Sequence, residues 1–269
     1  MKTRSGLLFL AICTSLAIHT HDACCQYRDH SQIASKAKSL ASQYPAICSA
    51  RSLVKTAGGK DIWIITIGTG DRDNKPGIAI VGGTDGKYIL GRELALGFAE
   101  NLLARSGDKS TTDLLNKVTY YIFPDVSPDA SAQYFAPLKY ERSRNARTTD
   151  EDRDFLFDED PCEDLNGDGA ITLLRISDPA GKFIESKEDA RVMVNAETEK
   201  GEKGKYSVIT EGIDNDKDGE FNEDGEGGVN FNRNLTYNYE EFGPNSGLYP
   251  VSEPETRAVV DFLYDRFNI

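Results

Sequence analysis

A glycine-rich loop between an apolar run and a helical pattern constrains the fold of this chain more than any other feature. Residues 78–81 read I-A-I-V, and Gly82, Gly83 and Gly86 follow within five positions. After the loop, apolar residues recur at helical spacing at positions 90, 94, 98 and 102. A buried strand that passes through a tight loop into a helix is typical of α/β sheets, which bind ligands at the carboxyl ends of their strands. Asp85 lies in this loop.

Strands and helices alternate through the rest of the first half of the chain. Residues 31–44 show an amphipathic helical pattern, and residues 111–116 a shorter one. The β-rich runs 47–57 and 61–68 are joined by Gly58-Gly59, which predicts a hairpin, and 118–123 is another apolar strand. A last helix is predicted after Ser252 as its N-cap. This alternation predicts an α/β fold with a mainly parallel sheet covered on both faces.

The N-terminal residues 1–23 read as a secretory signal peptide. Lys2 and Arg4 precede an apolar run over 6–18 that is too short to span a membrane, and Ala23 is a small residue suited to cleavage. We therefore expect a secreted or periplasmic protein without a membrane span. Cys24 and Cys25 raise the alternative of a lipoprotein, which the polar residues just before them disfavour.

The negative charge of the chain is concentrated in one segment, the acidic insert, residues 150–226. This segment has 25 Asp and Glu against 9 Lys and Arg, a net charge of −16, whereas the whole chain carries −13. No basic stripe is present that could neutralise phosphates, so we expect no nucleic-acid partner.

The acidic insert contains repeated windows with oxygen-bearing side chains at every second position. The pattern D-x-D-x-D-x-x-F-x-E-D occurs at 150–160 and again 64 residues later, and residues 164–171 read D-L-N-G-D-G-A-I. Such spacing is typical of the first half of an EF-hand-type calcium loop, although none of the windows is a complete EF-hand. We predict calcium binding, with a disordered acidic loop as the alternative. The candidate ligands are Asp150, Asp152, Asp154, Asp164, Asn166, Asp168, Asp214, Asp216 and Asp218.

Four longer motifs resemble the zinc carboxypeptidases of the carboxypeptidase A/B type. They are V-G-G-T-D-G-K-Y-I-L-G-R-E-L from 81, F-P-D-V-S-P-D-A from 123, G-V-N-F-N-R-N from 228 and S-G-L-Y-P-V-S-E-P-E-T-R-A-V-V-D-F-L from 246. The chain is most similar to a bacterial secreted branch of that family with an Asp-rich insert. The resemblance covers residues 31–269 and implies one domain, a three-layer α/β sandwich with a mixed sheet that lacks the family's C-terminal strands.

The resemblance also assigns roles to individual positions. The family's first two zinc ligands, H-x-x-E, fall on Asp85 and Tyr88, and its third His and its general-base Glu would lie beyond Ile269. The pair that binds the terminal carboxylate of the substrate corresponds to Asn232 and Arg233. The other substrate-binding arginine corresponds to Arg144, with Arg142 and Arg147 as alternatives.

The residues at the zinc positions predict that this chain does not hydrolyse peptides by the family's mechanism. Catalytic zinc takes three protein ligands, and a tyrosine hydroxyl, whose ordinary pKa is about 10, is a poor one at neutral pH. Of the three histidines, His19 and His21 lie in the predicted signal and only His30 follows it. Zinc is therefore implied by the family but not expected in this chain, which is either a gene fragment or a degenerate relative.

The sequence leaves two functions open. The first is an inactive carboxypeptidase relative that still binds the C-terminus of a peptide or protein. The second is a calcium-stabilised exported binding or structural module without a peptide site. An uncovered apolar sheet edge would also predict self-association.

Overall fold

The computed structural model describes residues 27–150, 155–158, 160–215, 217, 219, 221–222 and 227–269. The predicted signal peptide and the candidate ligands Asp152, Asp154, Asp216 and Asp218 lie outside these residues, so the signal peptide and these four ligands stay predictions. The helices are α1 His30–Gln43, α2 Leu90–Ala104, α3 Lys109–Lys117, α4 Pro128–Ala132 and α5 Pro254–Tyr264; the strands are β1 Cys48–Lys55, β2 Asp61–Ile67, β3 Gly77–Val81, β4 Thr119–Phe123, β5 Leu173–Ser177, β6 Phe183–Glu185, β7 Met193–Asn195 and β8 Tyr206–Thr210.

The central sheet has four described strands in the order β1-β2-β4-β3. β1 and β2 form the predicted antiparallel hairpin, with Cys48 opposite Ile67, and β2 is also antiparallel to β4. Only β3 and β4 are parallel, with Val81 opposite Phe123. The mixed α/β sheet is confirmed. The expectation of a mainly parallel sheet is wrong for the described strands, because the hairpin makes β2 antiparallel to both of its neighbours, and only the connection from β3 through α2 to β4 gives a parallel pair.

Helices cover both faces of this sheet, which confirms the three-layer sandwich. On one face, α1, α2 and α3 pack against the sheet in a core that includes Ile33, Leu96, Leu103 and Leu115. On the other face, α5 contributes Val259 and Phe262 to a second core. Each large apolar side chain buried in this way stabilises the fold by about 1.5–3 kcal/mol. Helix α5 begins after Glu253 rather than Ser252, so the predicted N-cap is wrong by one residue.

Helix α2 lies where predicted but presents a different face to the core. Leu90 and Leu94 are exposed, Leu94 by 64%, whereas Arg92 is completely buried. Strand β3 is likewise only partly buried, because it is the edge strand of the described sheet. The predicted self-association through a sheet edge stays a prediction.

Arg92 is buried because it forms an ion pair with Asp125, which follows β4. The guanidinium lies 3.1 Å from the carboxylate, and both side chains are almost completely enclosed. Ser131 accepts a hydrogen bond from Arg92 and donates one to Asp125. Burial raises the pKa of Asp125, and the charge of Arg92 opposes that shift. The pair therefore fixes the start of α2 against the end of β4 inside the protein.

The acidic insert contains a second sheet that the sequence did not predict. Strands β5, β8, β6 and β7 form an antiparallel sheet in that order. Its strands are short and most of their residues are at least partly exposed, so they lack a clear alternating pattern. Among the described residues, no helix combines the length and apolar character needed to cross a membrane.

We predict that Asp125→Asn destabilises the protein by about 3–5 kcal/mol, because it leaves the buried Arg92 cation without its partner charge. Asp108→Asn is the matched control. Asp108 forms an exposed ion pair with Arg105, and its loss should change stability by about 1 kcal/mol or less. Denaturant unfolding of both variants measures the difference, and similar midpoints for the two would contradict the role given to the buried pair.

Candidate functional site

The loop between β3 and α2 is fixed by close backbone packing that requires glycine. A Cβ atom on Gly86 would lie 2.1 Å from the Cβ of Ala130, the helix α4 residue on which the loop rests. Gly83 has a φ of +64°, and a Cβ there would lie 2.5 Å from a carboxylate oxygen of Asp125. Both glycines therefore allow the loop to pack closely against the residues that follow β4. This packing fixes the position of Asp85, which lies between the two glycines.

Asp85 and Tyr88 make the contacts of turn residues. The backbone carbonyl of Asp85 accepts a hydrogen bond from the Tyr88 amide at 3.0 Å, and its carboxylate lies 3.4 Å from the amide of Lys87. The Tyr88 side chain is 65% exposed, and the ammonium group of Lys87 lies 5.0 Å from the centre of its ring.

These residues do not fit a catalytic zinc ion. They offer one carboxylate and one exposed phenol beside a lysine cation, whereas a catalytic zinc takes three protein ligands and keeps its fourth position open for water. His30 is the one histidine of the described residues; its Nδ1 is buried without a hydrogen-bond partner, and burial lowers its pKa. Within the described parts of the chain, no three His, Cys, Asp or Glu side chains are grouped to hold a metal ion.

Asp129, in the motif F-P-D-V-S-P-D-A, joins the hairpin to the chain that precedes the insert. Its buried carboxylate accepts hydrogen bonds from the Thr56 hydroxyl at 2.8 Å and from the Gly58 amide at 3.0 Å. It also accepts one from the Ala146 amide at 3.2 Å, and the ammonium group of Lys60 lies 3.3 Å away. Asp129 is therefore a structural anchor for the segment that contains Arg144.

Asn232 and Arg233 lie on a single 3₁₀ turn, Phe231–Arg233, that the Asn230 side chain caps through the Asn232 amide at 2.9 Å. The Arg233 side chain is 49% exposed. Its Nη1 donates to the carbonyl of Pro244 at 3.0 Å, and the Glu240 carboxylate is 4.0 Å away. A cavity of about 300 Å³ is lined by Asn232, Arg233, Leu235, Tyr237, Asn238, Glu240 and Ser246.

Arg144 reaches the same loop from the other direction. Its Nη1 donates to the side-chain oxygen of Asn245 at 3.2 Å, next to the Pro244 carbonyl that Arg233 contacts. The two arginines are therefore brought to neighbouring residues but line separate cavities.

The two alternative arginines have structural contacts. Arg142 donates to the backbone carbonyls of Arg144 and Asn145 at 3.1 and 2.8 Å. Arg147 forms a 2.8 Å ion pair with the buried Glu253. Arg144, which contacts the residue next to the Arg233 partner Pro244, stays the predicted second arginine.

A buried network that the sequence analysis missed centres on Asn145. Its side-chain nitrogen donates to Glu253 at 2.9 Å and to Glu255 at 2.7 Å, and its side-chain oxygen accepts from the amide of Val229 at 2.9 Å. The network thereby joins the segment before the insert, the segment after it and the start of α5. The acidic pair flanking Pro254 is visible in the sequence, but by itself it indicates only helix-terminal charge.

Asn234, the second asparagine of N-R-N, extends this network to the loop beside Arg233. Its side-chain nitrogen donates to the carbonyl of Ser246 at 2.8 Å, and its oxygen accepts from the amide of Glu253 at 3.1 Å. Asn234 is completely buried. The loop that contains Pro244 and Asn245 is therefore held in place by a side chain adjacent to Arg233.

Three windows of the acidic insert fold with one common hydrogen bond. In each, the first-position aspartate accepts from the backbone amide five residues later: Asp150 from Phe155 at 3.3 Å, Asp164 from Gly169 at 2.8 Å and Asp214 from Gly219 at 3.1 Å. All three amide residues have positive φ, including Phe155 at +79°. A phenylalanine adopts this region only at a conformational cost, and Phe155 stands at the position that is glycine in the other two windows.

The family model for zinc carboxypeptidases matches residues 33–212. This chain belongs to that family. Carboxypeptidase E of Caenorhabditis elegans is 29% identical over 108 residues, covering 38% of this chain and 23% of its own length. Carboxypeptidase B of Astacus astacus is 25% identical over 154 residues, covering 52% and 50%. The chain thus spans half or less of the length of these relatives.

Solved structures show the same fold. Carboxypeptidase A from Helicoverpa armigera superposes with a TM-score of 0.56 at 15% identity, over 90% of this chain and 44% of that one. The thrombin-activatable fibrinolysis inhibitor superposes with a TM-score of 0.50 at 17% identity, over 89% and 44%. At these identities the likeness concerns the fold, and the recognition of the carboxypeptidase family and its α/β sandwich from sequence is confirmed.

Glu255 gives the Asn145 network a pH dependence. Burial, followed by the nearby charges of Glu253 and Asp129, raises its pKa from 4.5 to about 7, against the hydrogen bond from Asn145. A raised folded-state pKa means that the folded protein binds the proton more tightly than the unfolded chain. The stability contributed by protonated Glu255 is therefore present below pH 4.5 and is lost as the pH rises through 7.

We predict that Glu255→Gln stabilises the protein at pH 8 by up to about 3 kcal/mol relative to wild type, with little difference at about pH 4.5. Glu253→Gln is the control, because it weakens the Arg147 ion pair and should destabilise at both pH values. Urea unfolding at the two pH values measures the effect. A Glu255→Gln variant with the same pH dependence as wild type would contradict it.

Proposed function

We propose that this chain is a peptide-binding member of the zinc carboxypeptidase family. It recognises the C-terminal carboxylate of a peptide and does not hydrolyse the peptide bond through zinc. Its carboxylate clamp is the pair Asn232 and Arg233, with Arg144 beside it. The observation that supports the proposal most directly is the half-exposed Arg233 guanidinium in a cavity with Asn232.

The chemistry of Arg233 suits a carboxylate ligand. A guanidinium has five N–H donors in a planar fork that matches the two oxygens of a carboxylate. Within the described residues, the Arg233 guanidinium donates one hydrogen bond, from Nη1 to the carbonyl of Pro244. The exposed Glu240 carboxylate, 4.0 Å away, is a weak partner that a ligand carboxylate can replace.

The loss of hydrolysis is proposed from the donor chemistry at the other end of the site. Asp85 and Tyr88 occupy the positions of the first two zinc ligands, and they do not supply the donors that a catalytic zinc needs. The carboxypeptidase names belong to relatives of which this chain spans half the length or less, so their activity is not carried over to it. For this chain, binding without zinc chemistry is the function that the described residues support.

We predict that a basic peptide with a free C-terminus binds at least about ten-fold more tightly than the same peptide amidated. Arg233→Ala should weaken binding of the free peptide about 10–100-fold, because a hydrogen bond to a charged group contributes about 1.5–3 kcal/mol. Arg105→Ala, which removes an exposed arginine elsewhere, is the control. Isothermal titration measures the affinities of wild type and both variants. Equal affinity of wild type for the free and the amidated peptide would exclude the clamp.

The acidic insert supports a second candidate function, a calcium-stabilised module. The specific observation in its favour is the hydrogen bond shared by the windows at Asp150, Asp164 and Asp214, in which the first aspartate accepts from the amide five residues later. Bound cations would also offset the charge of −16 in this segment.

We predict that calcium raises the melting temperature by about 5–10 °C over chelator at a calcium concentration about 100-fold above the dissociation constant. Asp164→Asn should reduce this shift, whereas Glu188→Gln, an exposed charge change outside the windows, should not. Scanning calorimetry provides the measurement. An identical melting temperature in calcium and in chelator would remove this second candidate.

A further inference from the structure

A second, larger cavity adjoins the carboxylate clamp. Its volume is about 550 Å³, and it lies between the neck of the acidic insert, at 147–150 and 228–229, and the loop 242–248. Ser246 lines both cavities, and Pro244, whose carbonyl accepts the Arg233 hydrogen bond, lines the larger one. We call this cavity the neck groove. Its main apolar lining residues are Phe157, Val229, Phe242, Pro244 and Leu248.

The neck groove presents large apolar side chains to solvent. Phe242 is 89% exposed, and Phe157 and Leu248 are also exposed. Phe242 has a φ of +60°, a backbone region that bulky residues rarely adopt. Its loop is nevertheless fixed, because Asn234 holds the Ser246 carbonyl from inside the protein. Apolar side chains grouped around a concave surface on a fixed loop are typical of a binding groove.

The charges around the groove select the ligand. The groove lies at the start of the acidic insert, whose net charge is −16, and Asp150 is one of the residues that line the groove. Arg147, the cation on its lining, is paired with the buried Glu253. A positively charged ligand is therefore attracted to this face of the molecule.

We propose that the neck groove binds a large apolar side chain that lies two to four residues before the C-terminus of a basic peptide, while Arg233 holds the terminal carboxylate. This inference rests on the proposed function. The groove is a separate cavity that adjoins the one containing Arg233 at Ser246, so it takes an internal side chain of the peptide while the terminal residue lies at Arg233.

A positional scan tests this directly. Lysine-rich fluorescent peptides ending in a free alanine would have one phenylalanine placed second, third or fourth from the end, or none. We expect one placement to bind wild type at least about ten-fold more tightly than the peptide without phenylalanine. Phe242→Ser should abolish that gain, whereas Phe267→Ser, which removes another fully exposed phenylalanine, should retain it. Replacing the lysines by glutamates should weaken every peptide.

The outcomes separate the two proposals. If all peptides bind wild type equally and all weaken in Arg233→Ala, the clamp stands and the neck groove is overturned. If the gain from phenylalanine survives both Phe242→Ser and Leu248→Ser, the groove is likewise overturned. If no peptide binds, the proposed function fails and the inference fails with it. Melting curves of each variant confirm that it is folded.

Discussion

The hydrogen bonds of the Asn145 side chain are the interaction on which the candidate site depends. One carboxamide connects the chain before the acidic insert, the chain after it and the two buried glutamates at the start of α5. An unsatisfied carboxylate or amide at these positions would cost about 1–3 kcal/mol each, so the segments hold one another in place. Arg144 and Arg233 reach their shared loop because this network positions it.

Close packing and one buried ion pair fix the loop between β3 and α2. The loop between β3 and α2 keeps the close backbone packing of Gly83 and Gly86, and the buried pair Arg92–Asp125 fixes its flanks. At the same loop, Asp85 offers one carboxylate and Tyr88 an exposed phenol, fewer donors than the three ligands of a catalytic zinc. Function depends on the residues of a site rather than on the fold that carries it, so the proposed loss of zinc chemistry is compatible with the retained fold.

The elements that sequence predicted well are those in which local pattern and burial agree. Helix α1 has Ile33, Ala37 and Leu40 buried at the predicted spacing. Helix α2 was predicted with the wrong face, because Arg92 is buried by Asp125, a partner 33 positions away that no local pattern shows. The N-R-N motif identified Asn232 and Arg233, whereas the Asn145 network depends on long-range contacts and stayed hidden. The sheet of the acidic insert was missed because its short strands are partly exposed.

We propose that this member of the zinc carboxypeptidase family recognises carboxylates without zinc-dependent hydrolysis. The most direct measurement combines metal analysis of the purified chain, after incubation with zinc and removal of excess metal, with mass spectrometry of peptides incubated with it. We expect far less than one zinc per chain and peptides of unchanged mass. One zinc per chain together with the release of C-terminal amino acids would contradict this proposal.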